Sequence, residues 1–387
     1  MKLFIIFSIL LIITQLKSEE DLTIKQINSF GFKGEIHKVE TADNYLLTLH
    51  RIKPRKFTNS SQVVLLVHGI CCTSSEFLSS KRTSLAIFLF ENGFDVFLGN
   101  VRGNKYSKSH KNLNHENKEF WNFSLHELGI FDLAAFIDFI LKFTKNKKLF
   151  YIGHSQGATI PLILLSSKPE YNEKIYQLHL SAPAPFMSHF PNVLIKKYGK
   201  QAVKTFTKNN LINLTPIIEV LHQNLYKHCS LNQPLYFITC MIVEFLILGD
   251  NFTKLEADHE TFDKLLTFLS PNVSSTQVLH FFQFIESGKF RQFDYGRKKN
   301  LEKYGMIEPP EYDLKKVVTP TYIYCAERDR VVARKDIEHL REILPNVITY
   351  KLLKNYNHID FDIGINARKD VHKDILKAMK MNSKRQS

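Results

Sequence analysis

The residues best suited to catalysis lie in one short segment, Gly153 to Gly157, whose sequence has the form G-x-S-x-G. An apolar run precedes this segment from residue 148, and residues 158–166 continue it with a pattern compatible with a helix. That order predicts a strand, a sharp turn and a helix, with Ser155 at the apex of the turn. Glycines suit the flanking positions because larger side chains would collide there, and the helix N-terminus would face a developing oxyanion. The segment therefore predicts a nucleophilic serine.

A serine hydroxyl is a weak nucleophile and needs a histidine base that a carboxylate orients. The serine turn resembles that of the α/β hydrolases, in which the acid follows the serine in the chain and the histidine comes last, each on a loop after a late strand. Asp329 follows the strand pattern of residues 320–325, and His358 follows that of residues 349–353. We therefore predict Ser155 as nucleophile, His358 as base and Asp329 as orienting acid.

Other residues could replace this acid or this base by type and position. The rival acids are Glu327 and Asp336, and the rival bases are His339 and His372. Glu327 lies on the same predicted loop as Asp329 and remains an alternative. The other three fall within predicted helices, where a solvent-facing role is expected instead.

The elements that must position these residues follow an alternating pattern. Strand and helix signals alternate from residue 63 to residue 185, which indicates a parallel sheet covered by helices. Residues 63–67 are apolar throughout, as in a strand buried on both faces, whereas residues 35–52 predict a half-exposed antiparallel hairpin. The alternation stops between residues 186 and 309, where the sequence becomes helical and aromatic, and then resumes. We expect an α/β fold with a mostly parallel central sheet and an inserted helical region.

The first 18 residues have the architecture of a secretory signal peptide, with Lys2, a short apolar core and an acidic boundary at residues 19–21. N-x-S/T sequons also fit a protein of the secretory pathway, where they are glycosylation acceptors. They begin at Asn59, Asn122, Asn213, Asn251 and Asn272. We expect a secreted or lysosomal protein with a signal peptide (1–18), a first core part (19–185), the insertion (186–309) and a second core part (310–387).

Composition excludes several classes of function. The net charge is +14, from 52 basic and 38 acidic residues, but the basic residues are scattered and accompany no recognition motif, so nucleic-acid binding is not expected. No H-E-x-x-H motif occurs and the cysteines lack zinc spacing, so we expect no metal and no other cofactor. Because the five cysteines are an odd number, at least one thiol has no partner within the chain. Cys325 lies in a predicted strand and suits a buried apolar role.

Several short motifs recur in one order along nearly the whole mature chain. They are EIHKVET at 35–41, VHG at 67–69, LGNVRGN at 98–104, FWNFS at 120–124, GHSQG at 153–157, SGKF at 287–290 with FDYG at 293–296, and YNHIDF at 356–361. With these motifs the chain resembles the acid lipase family, which comprises the gastric and lysosomal acid lipases and their insect relatives. The resemblance implies an α/β-hydrolase fold and the same Ser155, Asp329 and His358 triad.

The resemblance implies further features of the site. The backbone N–H groups of Ile70 and Gln156 would form the oxyanion hole, and the insertion would be a helical cap and lid over an acyl pocket. Cys229 and Cys240 would form a disulfide bond. Closing so short a loop would stabilise the folded state by roughly 2 to 3 kcal/mol. We expect some side chains of the insertion's apolar runs, such as 235–248 and 281–285, to line an acyl tunnel. One departure lies beside the oxyanion hole, where Cys71-Cys72 replaces the usual apolar and small residues.

The function expected from this resemblance is serine-dependent hydrolysis of water-insoluble carboxylic esters, either triacylglycerols or sterol esters, at an oil-water or membrane interface. No obligate protein partner is expected. The alternative is a lipid carrier or storage protein on a hydrolase scaffold that has lost its activity, because a fold does not determine a function. A serine peptidase on the same scaffold is a third hypothesis, which the apolar and aromatic insertion disfavours.

Overall fold

The computed structural model describes residues 21–54, 62–193, 195–208 and 272–384. Within these residues one sheet has the strand order β1-β2-β4-β3-β6-β7-β8-β9, and the short β5 pairs with β2. The strands are β1 (Lys33–Glu40), β2 (Tyr45–Lys53), β3 (Val63–Val67), β4 (Asp95–Asn100), β5 (Ser109–His110), β6 (Leu149–His154), β7 (Ile175–Ser181), β8 (Thr321–Ala326) and β9 (Val347–Leu353).

Helices cover both faces of this sheet. They are α1 (Leu22–Ser29), α2 (Leu85–Glu91), α3 (Leu125–Glu127, continued by the π-helical Leu128–Leu133 and by Ala134–Thr144), α4 (Gln156–Ser167), α5 (Lys200–Lys208), α6 (Ser275–Ser287), α7 (Arg297–Tyr304), α8 (Arg334–Ile343), α9 (Asp360–Ile363) and α10 (Lys373–Lys384, after the π-helical Arg368–His372). In the part of the chain that the structure describes, none of the helices is long and apolar enough to cross a membrane.

The strand pairing confirms the predicted sheet. Strands β4, β3, β6, β7, β8 and β9 pair with one another in parallel, whereas β1 and β2 form an antiparallel hairpin whose second strand runs antiparallel to β4. All five residues of β3 are buried, which accounts for its continuous apolar sequence. Because the carboxyl ends of parallel strands meet at one edge, the loops after β3, β6, β8 and β9 converge there.

Two buried clusters hold the layers together, one on each face of the sheet. On one face, Phe136 of α3 and Ile160 of α4 pack against the strands. On the other face, Leu85 of α2 and Met379 of α10 do the same. Every residue of α4 from Gln156 to Ser166 is buried, because this helix packs between the sheet and the π-helical segment of α3.

Two local features differ from the sequence-based expectation. Helix α1 was not predicted from the sequence, and Asp21 caps it by accepting hydrogen bonds from two backbone N–H groups. Helix α3 begins at the predicted capping box of Ser124 and Glu127. It then widens into a π-helical segment, in which Asp132 accepts hydrogen bonds from the backbone N–H and the guanidinium of Arg102. A 3.6-residue period in the sequence does not reveal such a local widening.

The described ends of the insertion pack into the main core. Phe186, Phe284 and Phe290 belong to the same buried cluster as the strands. In the run 281–285, Phe284 is fully buried and Phe282 and Ile285 are nearly so, and these three side chains pack within the core. That some side chains of this run line an acyl tunnel stays a prediction, since an aromatic run at helical spacing fills a core as readily as it lines a cavity.

Several predictions fall outside the described residues. These are the signal peptide (1–18), the Cys229–Cys240 bond, the apolar run 235–248 and the sequons at Asn59, Asn213 and Asn251. Of the two described sequons, Asn122 is exposed whereas the side chain of Asn272 is buried, so only Asn122 offers an accessible amide. Cys325 is fully buried, as predicted.

Candidate active site

The turn between β6 and α4 places Ser155 in a strained backbone conformation, with φ 54° and ψ −114°. Its two glycines are required by close backbone approaches. A Cβ on Gly153 would lie 2.1 Å from the carbonyl oxygen of Gly157, and a Cβ on Gly157 would lie 2.0 Å from that of Val67. No side chain fits at either distance, so the structure accounts for both glycines of the G-x-S-x-G segment.

The structure brings the three predicted triad residues together. Ser155 Oγ lies 2.9 Å from His358 Nε2, and His358 Nδ1 lies 2.8 Å from Asp329 Oδ2. The second carboxylate oxygen of Asp329 accepts hydrogen bonds from the backbone N–H groups of Val331 and Val332, which fix the carboxylate in place. All three triad residues are buried, at 5 to 6% exposure, so their hydrogen bonds are shielded from water.

The rival residues do not reach this arrangement. Glu327 accepts a hydrogen bond from the backbone of Asn355 instead. Asp336 binds His189 through the backbone N–H and the ring, and His372 is bonded through Nε2 to the carbonyl oxygen of Phe361. The solvent-facing role expected for Asp336 and His372 is wrong, because both are buried.

His339, the remaining rival base, is exposed as predicted, and its ring contacts that of Phe186. Helical periodicity places a residue on a face, but it does not tell which neighbours cover that face.

The predicted oxyanion donors belong to two segments that adjoin Ser155. Gln156 is the first residue of α4, so its backbone N–H has no partner within the helix. Ile70 follows Gly69, and a Cβ on Gly69 would lie 3.4 Å from Cβ of Ser155, so the loop of residues 68–70 packs directly against the serine. We call residues 68–70 the oxyanion loop.

Side chains from two other segments hold the oxyanion loop. The Nδ1 atom of His68 lies 2.7 Å from the carbonyl oxygen of Gly69, and the side-chain amide of Asn104 lies 3.0 Å from Nε2. Burial lowers the pKa of His68, which keeps the ring neutral and allows Nδ1–H to donate while Nε2 accepts. Asn104 also donates to Asn100 at 2.9 Å. The motifs VHG and LGNVRGN therefore lie next to each other in the fold.

Sequence reasoning missed a buried cluster of Glu76, His154 and Asp362 beneath the serine. Potential ligand atoms of the three side chains lie within 4.8 Å of one another. His154 Nδ1 is bonded to Glu76 and lies 3.6 Å from Asp362 Oδ2. The three residues come from segments far apart in the chain, so their spacing gives no signal, and only the position of His154 inside the G-x-S-x-G segment could have drawn attention to it.

A second unpredicted contact joins the insertion to Gln156, one of the predicted oxyanion donors. Gln277 of α6 donates from its side-chain amide to the side chain of Gln156, and both residues are buried. Ser274, which caps α6, donates to the carbonyl oxygens of Trp121 and Phe123. The N-terminus of α6 is therefore hydrogen-bonded to the core next to the site.

The cysteine pair beside the oxyanion loop consists of free thiols in the structure. Cys71 has a left-handed backbone conformation, with φ 59°. Burial raises the pKa of Cys71 to about 12 and that of Cys72 well above its usual value. Both thiols are therefore protonated at neutral pH, which disfavours the reactivity that a thiolate would have.

A strained serine on a strand-turn-helix corner, hydrogen-bonded to a histidine that a carboxylate orients, is the arrangement typical of the α/β hydrolases. The sequence matches the alpha/beta hydrolase fold family over residues 62–364 and the partial alpha/beta-hydrolase lipase region over residues 23–81. It is 36% identical to Lipase 3 of Drosophila melanogaster over 92% of each chain. It is 33% identical to the gastric triacylglycerol lipase of Bos taurus, over 95% of this chain and 93% of the relative.

The fold is also that of solved esterases and lipases. A putative lipase from Acinetobacter baumannii superimposes with a TM-score of 0.55 at 13% identity, covering 94% of this chain and 96% of the other. The chain belongs to the lipase family of the α/β hydrolases, and it is a carboxylic ester hydrolase.

Proposed function

We propose that this protein hydrolyses the ester bonds of water-insoluble lipids through an acyl-enzyme intermediate on Ser155. The observation that carries the proposal is the hydrogen-bonded series from Ser155 through His358 to Asp329, with both distances below 3.0 Å. That geometry allows His358 Nε2 to accept the serine proton while Nδ1–H donates to the carboxylate.

The chemistry follows from the positions of these groups. Ser155 Oγ attacks the ester carbonyl carbon, and its proton passes to His358 Nε2. The carbonyl oxygen becomes an oxyanion, to which the N–H groups of Ile70 and Gln156 donate. His358 then protonates the leaving alcohol, and the acyl group remains on Ser155. Water next attacks the acyl carbon while His358 takes its proton, and His358 passes that proton to Ser155 Oγ as the bond to the acyl group breaks and a carboxylic acid is released. Asp329 stabilises the imidazolium formed in both halves of the reaction.

Lipid esters are the proposed substrate class because of the resemblance to acid lipases and the name of the bovine relative, a gastric triacylglycerol lipase. Triacylglycerols and sterol esters both present a carbonyl that this site could attack. A panel of triacylglycerols, sterol esters and soluble short-chain esters, assayed at acidic and neutral pH, distinguishes them. Hydrolysis of soluble esters alone would contradict the lipid proposal.

An alkyl phosphonate with a p-nitrophenyl leaving group tests the nucleophile directly. One equivalent of p-nitrophenol per chain and a phosphonylated peptide containing Ser155 are expected. Ser155→Ala is expected to fold, because alanine fits the same turn, and to lose both labelling and ester hydrolysis. Labelling at another residue, or activity near wild type in Ser155→Ala, would move the nucleophile elsewhere.

We also propose that the protein enters the secretory pathway and is secreted or lysosomal. The composition of residues 1–18 and the exposed sequon at Asn122 support this. Expression in a eukaryotic secretory host should yield a mature chain beginning near residue 19 and a mass decrease on treatment with a glycosidase. Retention of the first 18 residues in the purified protein would contradict it.

A further inference from the structure

One buried ion pair touches three of the four loops that form the candidate site. Glu76, from the 3₁₀ helix Ser74–Leu78, accepts a hydrogen bond from the backbone N–H of Gly69 at 2.8 Å and pairs with Nδ1 of His154. The Nε2 atom of His154 lies 2.7 Å from the backbone carbonyl oxygen of His358. The pair therefore joins the oxyanion loop, the serine turn and the loop that carries the base.

The charges around the pair favour its ionised form. Burial disfavours the imidazolium, but Glu76 at contact distance raises the pKa of His154 to about 9. Burial likewise opposes ionisation of Glu76, and His154 lowers its pKa below the usual value. Burial and the charge of Glu76 raise the pKa of Asp362 to about 8.

The other titratable groups facing the pair are those of neighbouring loops. The ring of His358 lies with its centroid 4.9 Å from that of His154, and the groups of His68 and Cys72 face Glu76. At neutral pH, Glu76 is therefore ionised and His154 carries hydrogens on both nitrogens.

This protonation also decides what the cluster can bind. A histidine ligates a metal through an unprotonated nitrogen, and both nitrogens of His154 donate hydrogen bonds instead. The cluster of Glu76, His154 and Asp362 is better explained as an ion pair beside a neutral carboxyl than as a metal site.

We propose that Glu76 and His154 are positioning residues that set the geometry between the oxyanion loop and His358. Neither side chain is placed to contact the ester. The bond from Gly69 to Glu76 fixes the backbone beside the predicted donor at Ile70. The bond from His154 to the carbonyl of His358 fixes the backbone that carries the catalytic imidazole. The proposal rests on the proposed triad.

The expected effect is on turnover rather than on substrate binding. A displacement of about 1 Å between reacting groups can lower a rate by roughly 10²-fold. Glu76→Ala removes the acceptor of Gly69 and His154 together, and His154→Phe removes the donor to the carbonyl of His358. We expect each change to lower kcat about 10- to 100-fold on a soluble short-chain ester, with KM within about threefold of wild type.

Glu76→Gln is the conservative variant that separates geometry from charge. A glutamine can still accept from Gly69, and its amide can donate to Nδ1 of a neutral His154 whose Nε2–H keeps the bond to His358. We expect kcat within about threefold of wild type, a difference of less than about 1 kcal/mol in the barrier. The double variant Glu76→Ala with His154→Phe should lose no more than about either single variant, because the two residues act as a unit.

His372→Phe is the matched control. His372 is buried like His154 and also bonded through Nε2 to a backbone carbonyl, that of Phe361 at 3.0 Å, three residues beyond His358. It touches no residue of the triad or of the oxyanion loop among its described contacts. The kcat per active site of His372→Phe should equal that of wild type, whatever its stability.

Phosphonate titration distinguishes positioning from folding. Glu76→Ala and His154→Phe should release a full equivalent of p-nitrophenol, at a rate reduced in proportion to kcat. A reduced amplitude with an unchanged rate would show that the pair only supports folding, and the proposal would be overturned. Equal losses in Glu76→Gln and Glu76→Ala would also overturn it, because geometry would then not be the cause. If wild type itself is not labelled at Ser155, the proposed function fails, and that result is distinct from either outcome.

Discussion

Asp329 accepts hydrogen bonds with both of its carboxylate oxygens, so its charge and its shape can be tested separately. Asp329→Asn keeps the shape but favours the wrong tautomer of His358, and turnover should fall on the order of 10⁴-fold. Steady-state kinetics on a soluble ester would measure the loss. Glu327→Gln is the control, since the described hydrogen bond of the Glu327 side chain is to the backbone N–H of Asn355. An active Asp329→Asn with an inactive Glu327→Gln would assign the acid to Glu327.

Gly157→Ala and Gly93→Ala together test how much an added Cβ lowers the free energy of unfolding, because one Cβ would collide with the backbone and the other would not. A Cβ on Gly157 would lie 2.0 Å from the carbonyl oxygen of Val67, whereas a Cβ on Gly93 meets nothing within 4 Å and is opposed only by a φ of +91°. Gly157→Ala should lower the free energy of unfolding by about 3 kcal/mol or more. Gly93→Ala should lower it by about 1 kcal/mol.

Urea denaturation of both glycine variants would measure the difference. Similar midpoints for the two proteins would show that the loop after β3 can move away from the serine turn without cost.

At the scale of elements, removing the ends of the insertion and removing its middle should have different effects on folding. Its described ends contribute Phe186, Phe284 and Phe290 to the core of the sheet, so removing residues 186–309 should unfold the protein. Phe→Ala substitutions at such buried positions already cost about 3 to 5 kcal/mol. A deletion meant to test acyl binding must therefore keep both ends.

Replacing only residues 209–271 with a short polar linker is the sharper experiment. If this segment supplies apolar contacts to acyl chains, long-chain esters should lose roughly 0.8 kcal/mol of binding for each methylene that is no longer buried. Hydrolysis of soluble short-chain esters should remain measurable, because the triad and the oxyanion loop lie outside the deletion. Equal loss of both activities in a folded variant would mean that the segment helps to build the catalytic site.

At the scale of the whole molecule, buried carboxyls make stability depend on pH. Burial raises the pKa of Asp362 to about 8 and that of Asp132 to about 6, so the folded state binds protons that the unfolded state has released. Their stabilising contribution is complete below about pH 4 and is lost as the pH rises through these values. His154 acts in the same direction, since its contribution is lost between about pH 6.5 and its raised pKa of about 9.

Asp362→Asn tests this linkage, because asparagine has the same shape and does not titrate. The melting temperature of wild type should fall between pH 5 and pH 8 by several degrees more than that of Asp362→Asn. Glu302→Gln on the exposed surface of α7 is the control and should match wild type. Parallel profiles for wild type and Asp362→Asn would show that the cluster does not set the pH dependence.

The sequence by itself determined the order of strands and helices, the serine turn and the two loops of the acid and the base. These features follow from local rules: a buried parallel strand is apolar throughout, a sharp turn requires glycine at Gly153 and Gly157, and a capping box marks the start of α3. Each rule acts within a few residues, so each leaves a pattern that can be read along the chain.

Only the tertiary structure places Asp329, and not Glu327, against His358. It also covers Asp336 and His372 with neighbouring elements. Finally, it brings Glu76, His154 and Asp362 together next to the serine turn. Residues two positions apart on a loop point to different neighbours, and nothing local records which of them faces His358. The buried cluster depends on strand order in the sheet, which brings together segments almost 300 residues apart and leaves no period or spacing in the sequence. The sequence likewise does not reveal that Phe284 and Phe290 pack into the core of the sheet. A local pattern shows that a side chain is apolar, but the fold determines what it contacts.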